Sequence, residues 1–450
     1  MRRDSRVEVK PEPPVAVGAG VCNSVGVSSV KCRAALGSAI FLLAGGVWAR
    51  AEQKPADALP QPAIRIPLAR LGYHGTPTPG LLVTRAAMVT LDFIDSGHVL
   101  FTYAYRPLMT RESGPPEPGA HIDRMVHAEV IELPDGKVAA ETDWRLHDRE
   151  PYLWPVGEGN FLLRVGGRLM LLDKHLEQSK IVETQSPIKW VQADEGCNLL
   201  VIEVEREQHT KEQHEKLAHD ALLFNAPLPA EDYETYGLQF HVGQVAAQEL
   251  FHVHLPKPGP VSATDEWLLQ TGAAVGGVYD IQALPLSGKG ERHSVLKLKS
   301  ECHPGMVMLG HDTALVSGCT MKGLVEYGVT VQGKTLWRQN VDEPIWPYYE
   351  RAANGSRFAV QRLSSRHGSG VNEDNLSAGE AEVFDVASGE RMFAVPLAPL
   401  YSTRHTVALA PDGMRVALLR QGELEIYELP PIPVKDKAGA DAAATQASAK

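Results

Sequence analysis

Positive charge is in short supply. The chain carries 44 Lys and Arg against 55 Asp and Glu, and no stretch gathers the basic residues into a stripe. Nucleic acid and anionic membrane are therefore excluded as partners, since both are held through clustered cations. Long apolar runs are missing too. The best, Ala34 to Trp48, is too short for a comfortable membrane span. No cysteine follows it, which excludes a lipid anchor, and Arg2-Arg3 lacks the rest of a twin-arginine pattern. Catalytic motifs are equally thin. Gly272 to Gly277 leads into no helix and so cannot cradle a phosphate. Gly368-Ser369-Gly370 lacks the strand–turn–helix setting of a nucleophile elbow. His209, His214 and His219 recur every five residues, which spreads them around a helix. His252 and His254 share one strand face, with His241 nearby, but no carboxylate stands at a convincing distance to complete a ligand set. The sequence thus predicts no metal and no cofactor, and names no acid–base pair.

What is present begins with a leader. Lys31 and Arg33 precede the apolar run, and Ala49-Arg50-Ala51 gives a small-x-small cleavage site. Residues 1–51 read as a signal peptide, 52–62 as a linker, 63–429 as one domain and 430–450 as a disordered tail. Cleavage removes seven basic and three acidic residues, which shifts the net charge of −11 by four, to −15. The protein is expected to be exported, periplasmic or secreted, with no stable membrane insertion after cleavage, and monomeric. Its 44% hydrophobic and 22% charged residues are those of a globular chain.

The domain is written in short strands and tight turns. Residues 404–429 show the unit. An apolar run at His405–Leu409 is followed by the turn Pro411-Asp412-Gly413, then Met414–Leu419, the turn Gln421-Gly422 and the alternating Leu424–Leu429. Proline presets the first turn position, Asp caps its own backbone and Gly takes φ > 0. Similar units recur at about forty residues, the spacing of propeller blades of four antiparallel strands. They predict an all-β propeller of seven blades, with six or eight as alternatives because the fourth unit (Glu266–Thr271, Val278–Leu284, Ser294–Leu298) shows no first strand. The last unit lacks a strand, and an open edge is a liability. Ala63–Leu68 is the natural donor, beside Leu424–Leu429. Ala410-Pro411-Asp412-Gly413 with Met414–Leu419, and the similar turn Leu133-Pro134-Asp135-Gly136, resemble the PDG-turn repeat of bacterial β-propellers, the TolB-like group. The resemblance implies a fold and no particular activity. The Gly-His…Trp-Asp pair of WD repeats and the tryptophan-rich repeats of quinone-dependent dehydrogenases are both absent.

Antiparallel strands a to d put all a–b and c–d turns at one end and all b–c connections at the other. Three insertions, 107–127, 206–237 and 364–380, fall between b and c and so share one face, and long loops on a rigid scaffold are where function sits. The second is expected to hold a helix over Glu205–Phe224. Trp154, Trp190, Trp346 and Tyr348 open strand a in three units and would ring the channel mouth, as stacking platforms or as packing between blades. With Arg106, Arg366 and His367 they are the candidate ligand-binding residues. Three cysteines outlast the leader. Reflection about a turn at Gly310-His311 sets Cys302 opposite Cys319, so these two are either a disulfide or two separate buried thiols. Cys197 is left as inert core. The reading favours a protein or carbohydrate ligand bound at the insertion face. A propeller-type hydrolase or lyase with its site at the channel mouth is the alternative.

Overall fold

The computed structural model describes residues 59–74, 89–106, 124–146, 151–184, 188–193, 199–205, 233–239, 248–254, 262–263, 267–272, 274–285, 291–341, 345–365, 376–398 and 405–432. The expected signal peptide, Cys197, the residues beyond 432 and the helix expected over Glu205–Phe224, apart from Glu205 itself, lie outside them. The described residues form seven four-stranded antiparallel sheets. Their one helical element is a single 3-10 turn, Leu68–Leu71.

The first sheet joins Val89–Asp95, His98–Arg106, Arg124–Glu132 and Lys137–Leu146. The second joins Leu153–Pro155, Phe161–Val165, Arg168–Leu172 and Gln178–Glu183. The third joins Ile188–Ala193, Leu199–Glu205, Tyr233–Gln239 and Gln248–His254. In the fourth, Ser262–Ala263 supplies the missing first strand, ahead of Trp267–Thr271, Val278–Pro285 and His293–Lys299. The fifth joins Gly305–Met308, Thr313–Cys319, Leu324–Thr330 and Thr335–Val341. The sixth joins Ile345–Arg351, Arg357–Ser365, Leu376–Asp385 and Arg391–Pro396.

The seventh sheet holds Val407–Leu409, Arg415–Arg420 and Glu423–Glu428, and its fourth strand is Ile64–Pro67 from the other end of the domain. Ile64 lies opposite Ile426 and Ile66 opposite Leu424. The turns form for the reasons the sequence gives. Gly413 takes φ 70° and donates to the Ala410 carbonyl at 2.8 Å, while Asp412 Oδ1 accepts from Met414 N at 2.9 Å. The Gln421-Gly422 pair has both φ angles positive, which matches the strand twist across a two-residue hairpin.

Several boundaries differ from the expected ones. The insertions are 107–123, 206–232 and 366–375, because Arg124–Glu132, Tyr233–Gln239 and Leu376–Asp385 begin earlier than their apolar content suggests. All three still connect the second strand of a sheet to its third.

Adjacent sheets bury their faces against each other. Ile66, Leu424 and Ile426 of the seventh sheet share a core cluster with Leu91, Phe101 and Ile131 of the first. Further clusters join the first sheet to the second, the second to the third, the fourth to the fifth, the fifth to the sixth and the sixth to the seventh. Each fully buried Leu, Ile or Phe contributes roughly 1.5–3 kcal/mol of transfer free energy, so most of the stability lies between sheets. Charge is buried there as well. Arg357 is fully buried in the sixth sheet and donates to the Gly413 carbonyl of the seventh at 2.6 Å and to the Pro430 carbonyl. Cys302 and Cys319 are joined by a disulfide, with 5.4 Å between their Cα atoms.

Candidate functional site

The first strands of the first, second, sixth and seventh sheets run toward a shared cavity of 520 Å³. Asp92, Ile94 and Asp95 reach it from the end of Val89–Asp95, and Glu350 and Arg351 from the end of Ile345–Arg351. The turns that follow supply Glu158 and Asp412, and Lys174 approaches from a later turn of the second sheet. Five carboxylates therefore face two cations.

Local geometry fixes several of them. Asp95 Oδ1 accepts from Gly97 N at 2.6 Å and meets His98 Nδ1 at 2.9 Å. Partial burial pushes the Asp95 carboxyl up, but the hydrogen bonds of His98 and Gly97 and the charge of His98 outweigh it, and the pKa is lowered. Asp95 is thus held as a carboxylate, suited to attracting a cation rather than delivering a proton. Asn354 Nδ2 donates to the Asp412 carbonyl at 2.7 Å, which ties the sixth-sheet turn to that of the seventh. Behind Glu350, His405 Nδ1 stands 3.5 Å from its Oε1 and 2.8 Å from Tyr348 Oη. Tyr348 and Glu350 are two apart on one strand, so their side chains share a face.

The cavity lies at the end of the sheets where first strands turn into second strands, opposite the three insertions. Of the residues singled out from sequence, Tyr348 reaches it indirectly through His405. Trp154 is half-buried and packs against the core between the second and third sheets, alongside Val156 and Leu162. Trp190 and Trp346 lie on strands whose backbone alone is described there, as does Arg106. Arg366 and His367 lie outside the described residues. The cavity carboxylates come from strand ends and turns of four separate sheets, so no local stretch of sequence groups them. A second polar group, His127, Glu129 and Glu141 of the first sheet, brings its donor atoms within 4.8 Å of one another and could hold a metal ion.

No family model and no curated protein matches the chain. Solved structures are similar to it at low identity. An acylaminoacyl peptidase from Pyrococcus horikoshii matches at 10% identity and a TM-score of 0.47, over 80% of this chain and 55% of the peptidase. An oligogalacturonate lyase in complex with manganese matches at 12% and 0.43, over 76% and 96%. A putative TolB from Agrobacterium tumefaciens matches at 12% and 0.36, over 65% and 94%.

Proposed function

We propose that the chain is an exported seven-bladed β-propeller that binds a cationic ligand, such as a basic peptide segment, in the cavity at one mouth of its ring. The observation that carries this is the cavity's own lining, with Asp92, Asp95, Glu158, Glu350 and Asp412 against Lys174 and Arg351. Carboxylates at a concave site focus a negative potential and draw in a cation. The seven-bladed reading is supported by seven four-stranded sheets, cores shared between neighbours and a first strand seated on the last sheet. The expected leader and the Cys302–Cys319 disulfide, a bond suited to an oxidising compartment, support the reading of export. The test is fluorescence anisotropy with a lysine- and arginine-rich peptide and an acidic peptide of equal length. Binding of the basic peptide alone, weakened by salt and by Glu350→Gln with Asp412→Asn, supports the reading. Equal binding of both peptides, or indifference to the substitutions, overturns it.

A second reading places a protein or glycan partner on the opposite face. It is favoured by the three long connections, all of which join second to third strands. Pull-down from an envelope fraction with and without residues 366–375 tests it. Recovery of the same partners from both forms removes that loop as the binding element.

A further inference from the structure

The seventh and sixth sheets treat a buried glutamate on the third strand in the same way. Glu425 is fully buried, and Arg420 from the neighbouring strand donates to its Oε2 at 3.2 Å. Glu382 is buried and receives Arg362 from the neighbouring strand and Arg391 at 2.8 Å. In both sheets the arginine stands two residues past the position opposite the glutamate: Leu418 faces Glu425, and Val360 faces Glu382. Glu129 is the corresponding glutamate of the first sheet, only 5% exposed, with Phe101 opposite. The position two residues on is Tyr103, not arginine.

The fourth strand of the first sheet adds two carboxylates to that face where those of the sixth and seventh sheets have none. His127 lies opposite Asp143 and Glu129 opposite Glu141. The sixth sheet has Pro396 and Ala394 at those two positions, and the seventh has Pro67 and Arg65. Among the described residues, the ion pairs of Glu129, Glu141 and Asp143 all go to His127. Glu129 Oε2 is buried and has no hydrogen-bond partner among the described residues. A buried carboxylate oxygen without a partner is costly to leave unmet.

The donors have the arrangement of a metal site. His127 Nδ1 meets Asp143 Oδ1 at 2.8 Å, so Nδ1 carries the proton and Nε2 is left to ligate. Nε2 stands 3.3 Å from Glu129 Oε1 and 4.0 Å from Glu141 Oε2. Ligands of a zinc ion sit about 2.0–2.2 Å from the metal. Tetrahedral neighbours are then about 3.4 Å apart, and only the Glu141 side chain, which is 67% exposed, needs to close in. It also leaves a path from solvent. We propose that His127, Glu129 and Glu141 bind a divalent transition-metal ion, zinc by their mixed nitrogen and oxygen donors, with Asp143 orienting the imidazole. The ion takes the part that arginine plays in the sixth and seventh sheets. The Tyr103 ring lies 5.4 Å from that of His127, and its hydroxyl donates to the Leu71 carbonyl at 3.2 Å, so the site adjoins a side chain that ties the first sheet to the segment leading out of the closing strand.

Isothermal titration of the chelator-stripped protein, expressed from Glu52, with zinc chloride tests this. Micromolar binding is expected, reduced at least tenfold by Glu141→Gln and by Asp143→Asn. Both side chains are more than half exposed, so both variants are expected to keep the parent's melting temperature, which thermal unfolding checks. Glu183→Gln, in a surface ion pair of the second sheet, is the control and leaves the titration unchanged. No zinc binding in the micromolar range, or binding unaffected by Glu141→Gln and Asp143→Asn, overturns the proposal. Magnesium bound as tightly as zinc overturns the choice of ion class.

Discussion

Replacing Glu326 with alanine should be among the most damaging single changes in the protein. Its carboxylate is fully buried at the face between the fifth and sixth sheets. Arg362 donates to it through both terminal nitrogens, at 3.2 and 3.0 Å, Tyr349 Oη at 2.7 Å and Gln339 Nε2 at 2.6 Å. Burial drives the Tyr349 pKa well above its ordinary value, and the charge of Glu326 drives it further. Burial works against the Arg362 cation, yet the attraction of Glu326 and Glu382 wins and its pKa is raised. Removing Glu326 leaves a buried phenol and part of a buried guanidinium without their partner. Breaking one side of a buried ion pair costs about 3–5 kcal/mol. Unfolding entropy of roughly 2.1 cal/mol/K per residue over about 400 residues converts that to a drop in Tm of about 4–6 °C. Differential scanning fluorimetry measures the drop, and urea titration measures the energy. Adding Arg362→Met should cost less than the sum of the two single losses, since both changes remove the same bond, while Glu382 keeps Arg391 at 2.8 Å. A loss below about 1 kcal/mol, or a double variant whose losses simply add, would refute the claim that this pair is one interdependent tie.

Three further outcomes follow from the same coordinates. Gly136 takes φ 71°, and a Cβ there would meet Ile66 Cγ2 at 2.9 Å, so Gly136→Ala should cost about 2–4 kcal/mol in urea titration; pairing it with Ile66→Ala should return some of that. Asp280 is pushed up by burial, but hydrogen bonds from Ser294 Oγ at 2.5 Å and Gln282 Nε2 at 2.7 Å, with the charge of Lys297, bring its pKa below the usual value. The unfolded chain therefore binds the proton more readily, and this contribution is full above the unfolded pKa of about 3.9 and lost as pH falls through the folded one. Asp280→Asn should be less stable than wild type at neutral pH and converge with it in acid, as read by chemical denaturation at each pH. Thiol alkylation in denaturant followed by mass spectrometry of the chain from Glu52 should label Cys197 alone before reduction and Cys302 and Cys319 as well after it; labelling of all three without reductant would contradict the disulfide.

Much of the architecture was readable because each turn carries its own chemistry. Pro411-Asp412-Gly413 and Gln421-Gly422 fix where strands stop whatever lies around them. The fourth sheet was faint because its first strand is Ser262–Ala263, two small residues with no alternation to detect. The insertions looked longer than they are because strands such as Leu376–Asp385 open on polar and glycine residues and are held by backbone pairing rather than apolar content. Buried charge was illegible for a related reason. In a strand covered on one face, alternating Glu and Arg read as solvent-facing; here both faces meet a neighbouring sheet, and Glu326, Arg362 and Glu425 are inside. The cavity escaped notice because its carboxylates come from positions as far apart as Asp92 and Asp412. The His127 group did leave a signal. Reflection about Pro134-Asp135-Gly136 pairs Glu129 with Glu141 and His127 with Asp143, by the same logic that pairs Cys302 with Cys319. Tryptophan on its own left two roles open, ligand platform or packing between blades, and Trp154 packs against the core between the second and third sheets.

The account rests on the two ends of the domain meeting in one sheet. Hydrogen exchange by mass spectrometry on the chain from Glu52 reads this directly, through a peptide covering Ile64–Leu71 and another covering Glu423–Leu429. Ile64–Pro67 is hydrogen-bonded to Glu423–Glu428 and its buried residues are part of the core shared with the first sheet. Both peptides should therefore be protected alike and open together near the free energy of global unfolding. Rapid exchange of Ile64–Leu71, at the rate of a free chain terminus, while Glu423–Leu429 stays protected would contradict it.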